Sequence, residues 1–152
     1  MISRKAVVTA IVALCVLSPT LNLRAHAQVN GETKVYKTEF IELDGKVQAM
    51  SARVQQDAEK KLDPETTLNL REEIFALVKL TTSLRDEANR TNLDILKRGE
   101  NSNKTLLLIS QGCEGMSYVM TALDKFLDTQ DRAFLGFAKD GQELVGSIRK
   151  IL

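Results

Sequence analysis

The sequence is poor in residues that break helices and in residues that most often bind metals. Among its 152 residues there are no tryptophans, one histidine, two cysteines and two prolines, and aromatic residues make up 5%. Leucine, alanine, lysine, glutamate and glutamine are abundant, and all of them favour helices. About 125 residues follow position 27, which is enough for one domain with its own hydrophobic core.

Residues 1–27 have the pattern of a secretory signal peptide. Two basic residues precede an apolar run over residues 6–17, and an Ala-His-Ala sequence at residues 25–27 suits the pockets of signal peptidase. The apolar run spans roughly 18 Å as a helix, well short of the roughly 30 Å hydrocarbon core of a bilayer. We therefore predict cleavage between Ala27 and Gln28, no stable membrane anchor afterwards, and a location in the periplasm or outside the cell.

Cleavage changes which chemistry the chain can support. It removes His26 and Cys15, so the mature chain has no histidine and Cys113 is its one cysteine. Haem attachment, di-iron bundle sites and zinc sites draw on histidine or on several cysteines. We therefore expect no metal and no cofactor, and we expect that the protein is not an enzyme.

The charge of the mature chain bears on its partners. Three basic residues leave with the signal segment, which lowers their number from 21 to 18 against 20 acidic residues. This balance gives no electrostatic reason to expect a nucleic acid as the partner. An intramolecular disulfide is also excluded, because a single cysteine remains.

Four stretches carry apolar residues at alternating spacings of three and four, which is the spacing of one helix face. The stripes are Phe40, Leu43, Val47, Met50 and Val54; Leu70, Ile74, Leu77, Thr81, Leu84, Ala88, Thr91 and Ile95; Leu106, Ile109, Cys113, Met116, Met120, Leu123 and Leu127; and Phe134, Phe137, Gly141, Leu144, Ile148 and Ile151. An average spacing of 3.5 residues is typical of helices packed at shallow angles. We predict an all-α fold, an antiparallel four-helix bundle with coiled-coil-like packing, in which residues 28–152 form a single domain.

The ends of the first two helices have local signals. The first stripe predicts a helix over about residues 34–61. Asp63 followed by Pro64 is typical of an N-cap and a first-turn proline, and so predicts the start of the second helix. That helix is expected to end near residues 98–99.

The third and fourth helices leave an alternative open. Asn101 or Ser102 is the predicted cap of the third helix, and a turn at residues 128–130 is predicted to separate it from the fourth. The apolar spacing nevertheless continues through this turn without a phase break, which is compatible with one rod of about 50 residues. In that three-helix alternative the rod exposes Phe134, Phe137 and Ile148, and the chain dimerises to cover them.

Cys113 lies within the third apolar stripe. A buried free cysteine behaves as a small apolar side chain, and no histidine is present to activate it. We therefore predict a core thiol. The neighbouring Gly112 and Gly115 each disfavour a helix by about 1 kcal/mol, and they indicate either close helix approach or a local kink.

Two functions from different classes fit these features. The first is a non-enzymatic exported protein that binds another protein through its helix faces, because catalytic motifs are missing while long helices offer surface. The second is a small-molecule carrier, because the small or polar stripe residues Thr81, Ala88 and Thr91 leave room for a core pocket.

Overall fold

The structure, a computed structural model, describes residue 31 and residues 33–60 and 62–152. The predicted cleavage position between Ala27 and Gln28 lies outside the described residues. Signal cleavage therefore stays a prediction from the sequence.

The chain divides into two compact units, Met1–Val35 and Tyr36–Leu152. The described residues of the first unit are helical. The second unit contains the helical bundle.

The described residues form four helices and the connections between them, and they contain no strand. The helices are α1 at 33–57, α2 at Pro64–Lys97, α3 at Lys104–Thr129 and α4 at Ala133–Ile151. The prediction of an all-α four-helix bundle is confirmed.

The predicted start of α2 is confirmed. Asp63 is the N-cap, and its carboxylate accepts hydrogen bonds from the Thr66 amide at 2.8 Å and the Thr66 hydroxyl at 2.7 Å. Pro64 occupies the first turn, where its missing N–H costs nothing. The bonds from the Thr66 amide and hydroxyl lower the pKa of Asp63, because they stabilise the carboxylate form.

Asn103 caps α3, so the prediction of a cap at Asn101 or Ser102 is wrong. The Asn103 side chain accepts hydrogen bonds from the backbone of the first helical turn. The hydroxyl of Ser102 instead bonds to the side chain of Asn92 on α2, at 3.0 Å and 3.2 Å. Asn92 also accepts a bond from the Asn103 amide at 2.7 Å, so one buried amide side chain holds the connection between α2 and α3.

A real turn separates α3 from α4, so the single-rod alternative is wrong. The predicted position at 128–130 is also shifted, because α3 continues through Thr129. Gln130 then adopts a left-handed conformation with φ 59°, which a continuous helix does not allow. Asp131 accepts a hydrogen bond from the Ala133 amide at 2.9 Å and so supports the start of α4.

Cross-helix contacts show that sequence neighbours run antiparallel within Tyr36–Leu152. At one end of the α1–α2 pair the hydroxyls of Tyr36 and Thr91 lie 3.0 Å apart, and at the other end Arg53 bonds to Glu73 at 2.8 Å. The other pairs are Arg71 with Asp124 and Thr81 with Ser117 between α2 and α3, and Lys37 with the carbonyl of Leu152 and Arg149 with Asp44 between α1 and α4.

The first three apolar stripes form the core, as predicted. Their residues are buried, with the exception of Thr91 in the second stripe, which is partly exposed. Asn92 is buried in place of Thr91. Its burial is tolerated because its amide bonds to the connection between α2 and α3.

A buried carboxylate links α1 to α4. Asp44 is buried, and its Oδ2 accepts hydrogen bonds from Arg149 and from Gln48, each at 2.8 Å. These two donors offset the loss of water around the carboxylate. The bond between Arg149 and Asp44 also ties the C-terminal end of α4 to α1.

Gly112 marks a point where two other helices converge on α3. A Cβ atom at this position would lie 2.3 Å and 2.5 Å from two ring atoms of Phe40 on α1, and 3.4 Å from Ile148 on α4. Phe40 is fully buried, so its ring has little room to move away. The ring of Phe40 therefore occupies the space that the missing side chain leaves.

We predict opposite effects for two glycine-to-alanine substitutions in helices. Gly112→Ala lowers the free energy of unfolding by about 1–3 kcal/mol, because overpacking against Phe40 outweighs the helix propensity of alanine. Gly45→Ala is the control, since nothing lies within 4 Å of its Cβ position, and it raises stability by up to about 1 kcal/mol. Urea unfolding followed by circular dichroism measures both, and a stabilising Gly112→Ala contradicts the packing.

Candidate functional site

Two of the three residues at which we predict a pocket lie entirely inside the bundle. Thr81 and Ala88 are both 0% exposed. The Thr81 hydroxyl donates to the carbonyl of Val78 at 2.9 Å and lies 3.3 Å from the hydroxyl of Ser117 on α3. The hydroxyl of Thr81 is therefore engaged within the protein.

Thr91, the third of these residues, faces α1. Its hydroxyl pairs with Tyr36, and both residues line a shallow recess of about 420 Å³ together with Ser83, Asp86, Glu87 and Arg90. Neither Thr81 nor Ala88 lines this recess. A ligand pocket formed by all three residues stays a prediction.

Cys113 is a fully buried, free thiol. Burial raises its pKa to about 12, from an ordinary value of 9.0, because the thiolate would lose its hydration. The neutral thiol therefore packs in the core, as its place in the third stripe predicts. A thiolate nucleophile is not formed at neutral pH.

The structure corrects the predicted orientation of α4. The prediction that Phe137, Leu144 and Ile151 lie in the core is wrong, since their side chains are 46%, 55% and 62% exposed. The buried residues of α4 are Ala138, Gly141, Val145 and Ile148. The helix is therefore rotated so that the edge with smaller residues faces inward.

Two glycines explain this rotation. A Cβ atom on Gly141 would lie 2.7 Å from a methyl of Val119 and 3.6 Å from the carbonyl oxygen of Gly115. A Cβ atom on Gly115 would lie 2.8 Å from a methyl of Val145. The axes of α3 and α4 thus approach too closely for a larger side chain at the crossing. The glycines of α3 serve close approach, and α3 remains one helix.

Four exposed apolar side chains lie on this side of the bundle, and we call them the exposed strip: Tyr118, Phe137, Leu144 and Ile151. Tyr118 of α3 is 50% exposed, and its ring lies 3.0 Å from the Cβ position of Gly141. Leu144 lies 3.7 Å from the Cβ position of Gly115. Since α4 residues 137, 144 and 151 recur every seven positions, the exposed strip runs about 21 Å along one line of the helix.

Exposed carboxylates border the middle of the exposed strip. Glu114 lies one helical turn before Tyr118, and Asp140 lies between Phe137 and Leu144 in sequence, on the solvent side of α4. Glu143 is exposed on the next turn. Among the described residues, none of these three carboxylates forms an ion pair.

Other surfaces also carry exposed apolar residues. A recess of about 290 Å³ between α1 and α2 has Leu43 and Leu84 at its base and the half-exposed Leu80 at its edge. The outer face of α2 exposes Leu68 and Phe75 at one end, with Lys79 stacked 4.4 Å above the Phe75 ring. The same face of α2 also exposes Leu93, but Leu68, Phe75 and Leu93 are spread over roughly 38 Å of the helix, whereas the exposed strip places four apolar side chains within about 21 Å.

The spacing of apolar residues alone does not predict the exposed strip. The residues of α4 have two apolar edges, and the larger side chains fall on the edge that the structure leaves in solvent. The signal that distinguishes the edges is the pair Gly115 and Gly141. The contact between these two glycines is visible only in the folded structure, because no sequence pattern indicates that the two positions lie opposite each other.

Within the described part of the chain, no group of three or more His, Cys, Asp or Glu residues is placed to hold a metal ion. No helix in the described residues combines the length and apolar character needed to cross a membrane.

No protein-family model matches the sequence, and no curated protein or solved structure matches it either. The surface chemistry of the bundle is therefore the basis for a functional proposal.

We predict that the Cys113 thiol reacts with a disulfide reagent such as dithionitrobenzoate only after unfolding. At pH 8 the native protein should react at least about 100-fold more slowly than the protein in denaturant, because the thiol is buried and neutral. Since its folded-state pKa is raised, this thiol should also reduce stability as the pH rises above 9.0 towards about 12. Cys113→Ala gives the background, and rapid labelling of the native protein contradicts the burial.

We predict a large difference between substitutions at two adjacent positions of α4. Val145→Ala should lower the free energy of unfolding by about 2 kcal/mol, because the side chain is buried against Gly115. Leu144→Ala should change it by less than about 1 kcal/mol, because more than half of that side chain is in solvent. Chemical denaturation measures both, and a larger loss for Leu144→Ala contradicts the orientation of α4.

Proposed function

We propose that this protein is exported and binds another protein through the exposed strip, without catalysing a reaction. The single observation that carries the proposal is the alignment of Phe137, Leu144 and Ile151 along one line of α4, each about half exposed. Aligned apolar residues at a spacing of seven are the pattern by which one helix packs along another. The signal pattern of residues 1–27 supports export to the periplasm or the extracellular space.

The energy available from the exposed strip sets a limit on the interface. Full burial of a large apolar side chain contributes about 1.5–3 kcal/mol, so four side chains that are half exposed contribute roughly 3–6 kcal/mol on binding. Association costs roughly 4–15 kcal/mol in lost freedom of motion. A stable complex therefore also needs contacts to the polar residues that border the exposed strip.

The test compares two triple variants, each of which replaces three exposed apolar residues by serine. Phe137→Ser, Leu144→Ser and Ile151→Ser together alter the exposed strip, and Leu68→Ser, Phe75→Ser and Leu93→Ser together alter the equally exposed outer face of α2. Circular dichroism confirms that both variants keep the helical content of the unaltered chain.

Each variant is produced with its signal segment and used for affinity capture from the compartment outside the cytoplasmic membrane of its source cells. We expect a polypeptide that the unaltered protein and the α2 variant retain and that the exposed-strip variant loses at least about tenfold, since burial of the strip drives binding. The absence of any polypeptide with this pattern contradicts binding through the exposed strip. Mass spectrometry of the processed chain should give an N-terminus at Gln28, and an intact signal segment contradicts export by cleavage.

A further inference from the structure

We propose that the partner of the exposed strip is a basic amphipathic helix of another protein. This inference rests on the proposed function, since it names the chemistry of the partner that the same surface binds. Two features support it, the shape of the exposed strip and the sign of the charges that border its middle. The same charges disfavour a second copy of the chain at this surface.

The shape suits a helix. Phe137, Leu144 and Ile151 lie on one line of a 19-residue helix, and a helix laid along them at a shallow angle meets each in turn. Two small residues, Gly136 and Ser147, are partly or fully exposed on the solvent side of that line. Nothing lies within 4 Å of the Cβ position of Gly136, so another backbone can approach closely there.

The charges along the middle of the exposed strip have one sign. Glu114 of α3 and Asp140 and Glu143 of α4 are exposed and form no ion pair among the described residues. The lysines of α3, Lys104 and Lys125, belong to its first turn and its last two turns, away from the middle. A partner with Lys or Arg beside its apolar residues finds complementary charges here.

Two of the three basic residues of α4 lie towards α1, and the third, Lys150, lies in the last turn beside Ile151, at the end of the exposed strip. Arg149 bonds to the buried Asp44 of α1, and Lys139 lines a recess with Gln48 and Gln55 of α1. Lys139 lies four positions before Glu143 and lines the same recess with it, so it partly offsets that charge. Glu114 and Asp140 have no basic residue three or four positions away in their helices, so their charges at the middle of the exposed strip are not offset in this way.

A second copy of this chain is a poorer occupant of the same surface. Two copies related by a two-fold axis present the same patch to each other. Where the axis passes through the middle of the exposed strip, Glu114, Asp140 and Glu143 of the two copies come close to one another. Like charges placed together in an interface oppose binding, and anionic lipid surfaces are disfavoured for the same reason.

The experiment uses two synthetic peptides of 18 residues. Both carry leucine at the first and fourth positions of each heptad, and the remaining positions are lysine in one peptide and glutamate in the other. A fluorophore on each peptide reports binding to the purified protein by anisotropy at low and high salt. We expect the lysine peptide to bind at least about tenfold more tightly than the glutamate peptide, and salt to weaken its binding.

Two charge-reversal variants test where the lysine peptide binds. Glu114→Lys, Asp140→Lys and Glu143→Lys together should weaken it at least about tenfold. The control reverses Glu39, Glu42 and Glu87 to Lys at the recess between α1 and α2, which carries the same number of carboxylates beside a single exposed leucine, Leu80. The control should change the affinity less than about threefold, whereas equal losses in both variants overturn the proposal, because they indicate attraction to acidic residues in general.

The remaining outcomes separate this inference from the proposed function. If both peptides bind equally and Leu144→Ser weakens both, a basic partner is excluded while binding through the exposed strip stands. If neither peptide binds, the inference fails. Dimerisation by light scattering that Leu144→Ser abolishes overturns it in favour of a second copy. Binding to vesicles of phosphatidylglycerol that the same substitution abolishes overturns it in favour of a lipid surface.

Discussion

The close crossing of α3 and α4 at Gly115 and Gly141 determines which face of α4 the bundle buries. A side chain on Gly115 would meet Val145, and a side chain on Gly141 would meet Val119, so neither position tolerates a Cβ atom without rearrangement. This approach limits the side chains beside the crossing to small ones. It therefore rotates α4 until Ala138 and Val145 face inward, and the larger residues on the other edge of the helix remain in solvent.

The first three helices were predictable because each has one long apolar stripe in which spacings of three and four alternate without a break. Where the residues beside a stripe are polar, only one rotation of the helix about its axis buries the apolar residues. Large buried residues such as Phe40 and Leu123 then fix that rotation. The sequence also predicted the start of α2, because Asp63 and Pro64 act locally. The cap of α3 was misplaced because Asn92, ten residues before Ser102, engages the Ser102 hydroxyl and leaves Asn103 as the cap.

The exposed strip was not predictable, because α4 has two apolar edges of equal period. One edge contains Phe137, Leu144 and Ile151, and the other contains Ala138 and Val145, so spacing fits both. A rule that buries the larger side chains selects the wrong edge. Only the contact between Gly115 and Gly141, which depends on the register of two helices, decides between them.

The same constraint thus connects packing to the proposed function: it stabilises the bundle by close approach and leaves a line of apolar residues for another molecule. The most direct test is a scan of single cysteines along α4 in a Cys113→Ala background, labelled with a maleimide in the native protein. We expect fast labelling at positions 137, 144 and 151 and labelling slowed by at least about 100-fold at 138, 145 and 148. Equal rates at 144 and 145, or protection at 144, would contradict this orientation of α4.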